Sequence, residues 1–162
     1  MPRLSNSLLV MTEDKRPTIK YFDREAIEII HSIVSERWKA DGEPIPPFST
    51  ADEDSLDSLV KLPQSSYFGD EQYSTLEGKA AIIFYTLNKK HLFLNGNKRM
   101  SVACLIIFLL TNGKLLQIDP SDLAEKALWL AKTTHSHNFD EIKKDLEQWI
   151  KERMTDYVLE IE

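Results

Sequence analysis

The stretch His91-Leu92-Phe93-Leu94-Asn95-Gly96-Asn97-Lys98-Arg99 holds the side chains of this chain best suited to chemistry. An imidazole, which as a class titrates at about 6.5, suits proton transfer at neutral pH. Downstream of it a short Gly-containing turn ends in Asn97, Lys98 and Arg99, which open an apolar run that reads as a helix. A helix start offers unpaired backbone N–H groups and the positive end of the dipole to an anion. Lys98 and Arg99 add full charges, and a guanidinium grips phosphate through two parallel N–H groups. Two cations in a first helical turn oppose the dipole unless an anion is there to receive them. The pattern is that of a phosphate site with a general base beside it.

Two long apolar segments must hold this loop. Upstream, Ser74-Thr75-Leu76-Glu77 matches a capping box. The helix behind it turns Leu76, Ala80, Ile83, Phe84 and Leu87 inward and runs to about Lys90, where Lys89 and Lys90 complement the dipole. Downstream, a helix over about 97–112 is apolar on nearly every side from Val102 to Leu110, as expected of a central helix, and Asn112-Gly113 ends it. Further helices are predicted around this pair. One spans 24–40, capped by Asp23, with Ile27, Ile30, Val34 and Trp38 on one face. A second starts at a capping box over Thr50–Glu53, carries Leu56, Leu59 and Val60, and stops at Pro63. A third starts at Asp119-Pro120 and carries Leu123, Leu128 and Leu130; a fourth, capped by Asn138, turns Ile142, Leu146, Trp149 and Ile150 inward. Gln64 to Tyr73 lacks helical periodicity and reads as a loop or short hairpin at the surface. Residues 1–22 suggest a small N-terminal hairpin, and 155–162 a flexible or strand-like tail. The fold class is therefore all-α, one domain over 1–162 around a buried central helix, with a small β-hairpin flap.

Composition limits the function. The net charge of −6 argues against a nucleic-acid binder while leaving room for a local basic pocket at Lys98-Arg99. Cys104 is the single cysteine, which rules out an internal disulfide and fits a reducing, cytoplasmic setting. It sits in an apolar run and reads as a core residue rather than a nucleophile. No apolar run approaches the roughly 20 residues a membrane span needs, and no signal peptide is recognisable. His31 lies in an amphipathic helix and reads as structural. His135 and His137, without carboxylate or thiol at ligand spacing, read as a solvated linker rather than a metal site.

The loop resembles the signature of the Fic/Doc superfamily, His-x-Phe-x-(Asp/Glu)-(Gly/Ala)-Asn-(Gly/Lys)-Arg. Tyr73, Lys79-Ala80-Ala81 and Phe108 to Gly113 resemble the flanks of Doc-type members, so the likeness covers roughly 64–118. It implies an ATP-dependent enzyme that modifies a hydroxyl of a target protein, with magnesium, in a toxin–antitoxin setting. Fic enzymes transfer AMP; the Doc branch, with Lys where Fic enzymes have Gly, transfers the terminal phosphoryl group. Lys98, and Val102 where Fic enzymes carry a second Arg, place this chain nearer Doc. By this resemblance His91 is the base, Phe93 fixes the loop from the core, Gly96 lets backbone approach phosphate, Asn97 holds phosphate oxygens and Arg99 neutralises developing charge. Asn95 and Lys98 complete the nucleotide site.

Asn95 departs from the family's metal-binding carboxylate, and a neutral amide is a weaker ligand for a hard cation. Three consequences stay open: ATP itself carries the magnesium, another carboxylate substitutes, or the chain is a catalytically weak nucleotide- or protein-binding module. The resemblance further makes the Gln64–Tyr73 segment a docking flap for the target's modifiable loop by strand addition. Tyr67, Phe68 and Tyr73 then either touch the target or pack the flap on the domain. The Fic inhibitory motif is not matched, which assigns inhibition to a separate antitoxin.

Overall fold

The computed structural model describes residues 18–39, 41–133 and 138–157. It is an all-α structure with six α-helices and two small two-stranded sheets among these residues. Helix α1 (Arg24–Lys39) begins where the Asp23 carboxylate accepts the Ala26 N–H at 2.8 Å, and it buries Ile27, Ile30, His31 and Val34. Helix α2 (Glu53–Lys61) buries Leu56 and Leu59. The centre is an antiparallel pair, α3 (Leu76–Lys89) and α4 (Asn97–Thr111), with α5 (Pro120–Lys132) and α6 (Phe139–Arg153) packed on it. Their buried apolar side chains join those of α1 and α2 in one cluster.

Of the central pair, α3 is the more enclosed. Every residue from Gly78 to Phe84 is buried, whereas Val102, Ala103, Ile106, Ile107 and Leu110 of α4 are only half-buried. The near-uniform apolarity of α4 thus exceeds what its packing covers. On α5, Leu123 and Leu130 point inward and Leu128 is exposed.

Two helix starts differ from the sequence reading by one or two residues. Thr50 does not open α2: Phe48–Thr50 form a 3-10 turn in which the Thr50 hydroxyl donates to the Pro47 carbonyl, and Asp52 is the cap, accepting the Ser55 N–H at 2.9 Å. Thr75, not Ser74, caps α3. Its oxygen accepts the Gly78 N–H at 3.0 Å while its hydroxyl donates to Glu147 on α6 at 2.8 Å, a second bond that favours this register.

The flap is a hairpin of β1 (Ser66–Tyr67) and β2 (Asp70–Glu71), paired Ser66 to Glu71 and Tyr67 to Asp70. Phe68 and Gly69 at its tip both have positive φ, 51° and 86°, the geometry of a tight primed turn. A second ribbon pairs β3 (Lys114–Leu116) antiparallel with β4 (Met154–Asp156). Strand β4 takes in Thr155 and Asp156 of the tail segment, and β3 carries no sequence signal. The proposed hairpin over 1–22 falls largely outside the described residues, as do His135, His137 and 158–162.

Candidate phosphate-binding active site

The loop between α3 and α4 is held at several points. His91 has φ 49°, a left-handed conformation costly for a residue with a Cβ. Its neighbours fix it there. The Ser55 hydroxyl donates to the Lys90 carbonyl at 3.2 Å, and the Asp52 N–H donates to the Leu92 carbonyl at 2.8 Å. The start of α2 therefore sets the backbone on both sides of the histidine. Leu92 and Phe93 are buried, and the Phe93 ring lies 4.9 Å from that of His31 and 6.3 Å from that of Phe48. His31 is in turn tied by its Nε2 to the Pro46 carbonyl at 2.8 Å. The imidazole of His91 stays exposed.

Asn97 has a task that its place in the signature does not show. Its Oδ1 accepts the Phe93 N–H at 2.9 Å and its Nδ2 donates to the Phe93 carbonyl at 2.6 Å. Both ends of the amide close the loop, so the side chain is a staple, with one Nδ2 N–H left over. Asn95 is exposed, its Oδ1 accepting the Gly96 N–H at 2.9 Å. Gly96 precedes α4 at φ 88°, and a Cβ there would meet Cγ1 of Ile45 at 2.7 Å. The close approach this glycine permits is to a protein side chain as well as to the cleft.

Among the described residues no side chain caps α4, and its first internal bond runs from the Met100 N–H to the Gly96 carbonyl. The N–H groups of Asn97, Lys98 and Arg99 thus stand at an open helix end. Arg99 donates to the Glu43 carbonyl at 2.6 Å and its guanidinium lies 5.4 Å from the Trp38 ring centroid. A guanidinium has five N–H donors, so this anchor leaves donors for an anion. Trp38, Glu43 and Ile45, none assigned to the site from sequence, form the wall that aims Arg99 and seats Gly96.

These groups line a cleft of about 520 Å³, bounded by His91, Leu94, Asn95 to Arg99, Trp38, Glu43, Asn88, Lys89 and Ala131. A groove of about 480 Å³ between α1 and Phe48 contains no residue of the signature. Lys89 is spent on the end of α5, donating to the carbonyls of Leu130 and Thr133 at 3.2 and 2.7 Å. Lys98 and Arg99 are the cations left to meet a ligand, and Glu43 is the one acid among the lining residues.

The donor set does not fit a magnesium ion held by the protein. Asn95 presents a neutral amide already engaged with Gly96, and no group of three or more His, Cys, Asp or Glu side chains gathers among the described residues.

The flap residues separate. Tyr67 and Phe68 project into solvent, 64% and 105% exposed, whereas Tyr73 is 3% exposed. Tyr73 is not a target contact. Burial pushes its hydroxyl pKa up, and the Lys143 ammonium sits 4.6 Å from its ring centroid. Among the described residues no helix is long and apolar enough to cross a membrane.

The Fic/DOC family matches this chain over residues 21–109. The toxin Doc of Mycolicibacterium smegmatis (strain ATCC 700084 / mc(2)155) is 38% identical over 64 residues, which is 40% of this chain and 49% of that protein. The chain thus spans about half the length of this curated relative. The family match takes in the histidine, the open helix start and the wall that aims Arg99, and this chain belongs to the Fic/DOC family.

Proposed function

We propose that this protein is a Doc-like, toxin-type enzyme that transfers the γ-phosphoryl group of ATP to a hydroxyl of a target protein. The observation that carries this reading is the shared cleft, in which His91 stands beside the uncapped start of α4 and the charges of Lys98 and Arg99. His91 takes the proton of the target's hydroxyl. The hydroxyl oxygen then bonds to the γ-phosphorus as the bond to the β,γ-bridging oxygen breaks, and ADP leaves with that electron pair. The N–H groups of α4, with Lys98 and Arg99, meet the charge on the transferring group. Lys98 fills the space a glycine would leave, which favours the γ-phosphate over the α-phosphate facing the target. ATP enters as its magnesium chelate and needs no carboxylate at Asn95. The similarity to a toxin Doc supports a toxin–antitoxin setting with a separate antitoxin as partner.

The test is incubation with a cell lysate, magnesium and ATP labelled at either the α or the γ position. Label from γ alone on a protein band supports phosphoryl transfer, and His91→Ala lowers it by about 10²- to 10⁴-fold. Label from α assigns AMP transfer instead. Asn95 favours one further reading, a binding module without transfer; absence of His91-dependent label from either position, with ATP still bound, would establish it. Asn95→Asp restores a carboxylate and raises the rate if metal affinity limits it.

A further inference from the structure

We propose that Lys79 is the anchor that fixes the docking edge of the flap, a positioning residue for target recognition that rests on the reading of the flap given above. Lys79 stands in the first turns of α3 and is 2% exposed. A buried ammonium is costly unless its three N–H donors are all met. Here three oxygens surround it: the Tyr73 carbonyl at 2.5 Å, the Pro63 carbonyl at 3.2 Å and the Glu71 carboxylate at 3.5 Å. The ring of Tyr21 lies beside it, with its centroid 5.4 Å away.

The placement of these oxygens gives the anchor its meaning. Pro63 comes just before the flap, Tyr73 just after it, and Glu71 is on its second strand. One cation therefore clamps entry, exit and edge together. The hairpin needs such a clamp. Its strands are two residues each, every residue from Ser66 to Gln72 is exposed, and a hairpin of that size has no stability of its own. The Gln72 N–H to Ser65 carbonyl bond, 2.9 Å, closes its base just above the clamp. Strand addition needs an edge already held in one register, because ordering it on binding would subtract from affinity.

The experiment is limited proteolysis with chymotrypsin, which cuts after exposed aromatic residues, followed by mass spectrometry of the nick at Tyr67 or Phe68. Lys79→Met replaces the clamped cation with an apolar chain of similar length and leaves the Tyr73 and Pro63 carbonyls without their donor. The expected result is at least tenfold faster nicking at the flap, a lowered urea midpoint in a protein still folded in buffer, and an affinity for ATP with magnesium within twofold of wild type. Glu71→Ala, an exposed change that leaves the fold alone, gives about threefold faster nicking. Folded Lys79→Met nicked at the wild-type rate overturns the proposal, as does a loss of ATP affinity in step with nicking, which would mark a general structural role. If Lys79→Met does not fold, Glu71→Ala decides, and unchanged nicking rejects the clamp. Labelling of lysate proteins from ATP reports separately on the flap's part in docking. It falls at least tenfold in Lys79→Met if the flap docks the target. Wild-type protein that gives no label refutes the transfer reading, while nicking still decides Lys79.

Discussion

At the scale of single residues, the site divides into side chains that face the cleft and side chains that shape it. Asn97 belongs to the second kind. Asn97→Ala leaves the Phe93 N–H and carbonyl without their partners at 2.9 and 2.6 Å, and is expected to destabilise the fold by about 1–3 kcal/mol in urea unfolding. A variant as stable as wild type would mean that the staple contributes nothing. Cys104 is buried at 0% exposure, and burial pushes its thiol up to about 12. A thiolate is the reactive form, so the folded protein at pH 8 is expected to leave a disulfide reagent unreacted, whereas guanidinium-unfolded chain reacts at one thiol. Rapid reaction of the native protein would contradict this burial. Tyr73 shows the limit of reading aromatic residues from composition: its neighbours in sequence are exposed, and only tertiary packing, with Lys143 of α6 at its ring, removes it from the surface.

At the scale of elements, the α3–α4 loop is shaped by α1, the connector after it and the start of α2. Gly96 is the tightest joint. Gly96→Ala puts a Cβ 2.7 Å from Ile45 at φ 88°, and is expected to cost about 2–4 kcal/mol from clash and left-handed strain together. Pairing it with Ile45→Ala removes the clash but not the strain. The double variant is therefore expected to be more stable than the two single losses summed, by roughly 1–2 kcal/mol in a mutant cycle. Strict additivity would place Ile45 elsewhere. Helical spacing puts Trp38 on the inward face of an amphipathic helix, and it does pack against the core, yet its ring also backs the Arg99 guanidinium. Periodicity could assign its face; it could not show that the face ends at the cleft.

At the scale of the whole molecule, acid is expected to loosen the fold around the site. Asp52 is held below its ordinary 3.8 by the Ser55 hydroxyl and N–H, Glu53 below its ordinary 4.5 by the Arg24 guanidinium, and Asp156 below 3.8 by Lys114. A carboxylate whose folded pKa is depressed stabilises the fold above its unfolded value, and that contribution is lost as pH falls through the folded one. Urea midpoints are therefore expected to be flat above about pH 5 and to drop below the ordinary 4.5 and 3.8 of these groups, with a shallower drop in Asp52→Ala. An identical acid limb in that variant would exclude Asp52 as a contributor. Because the Asp52 N–H also holds the Leu92 carbonyl, the α2 start and the His91 loop are coupled in this range.

The sequence by itself determined the helices, through apolar spacing and caps that depend only on neighbours three or four residues away. It also determined the identity of the loop, because a signature of fixed residue types is a local property. It placed Asp23 and Asn138 as caps and the ends of α4 within a residue or two. It did not show β3, whose partner β4 lies some forty residues further along the chain, nor the shifted starts of α2 and α3, which depend on the Thr50 hydroxyl at Pro47 and on Thr75 meeting Glu147. The tertiary structure alone decided which atoms of the signature are free. Asn95 and Asn97 bond backbone within the loop, Arg99 is aimed by Glu43 and Trp38 from 56 and 61 positions away, and Lys79 is buried against the Tyr73 and Pro63 carbonyls. The Arg99 partners are distant in sequence, and the Asn95 and Asn97 bonds, though local, form in a loop whose backbone the start of α2 holds through the Asp52 N–H at Leu92, so no spacing rule within the loop encodes them.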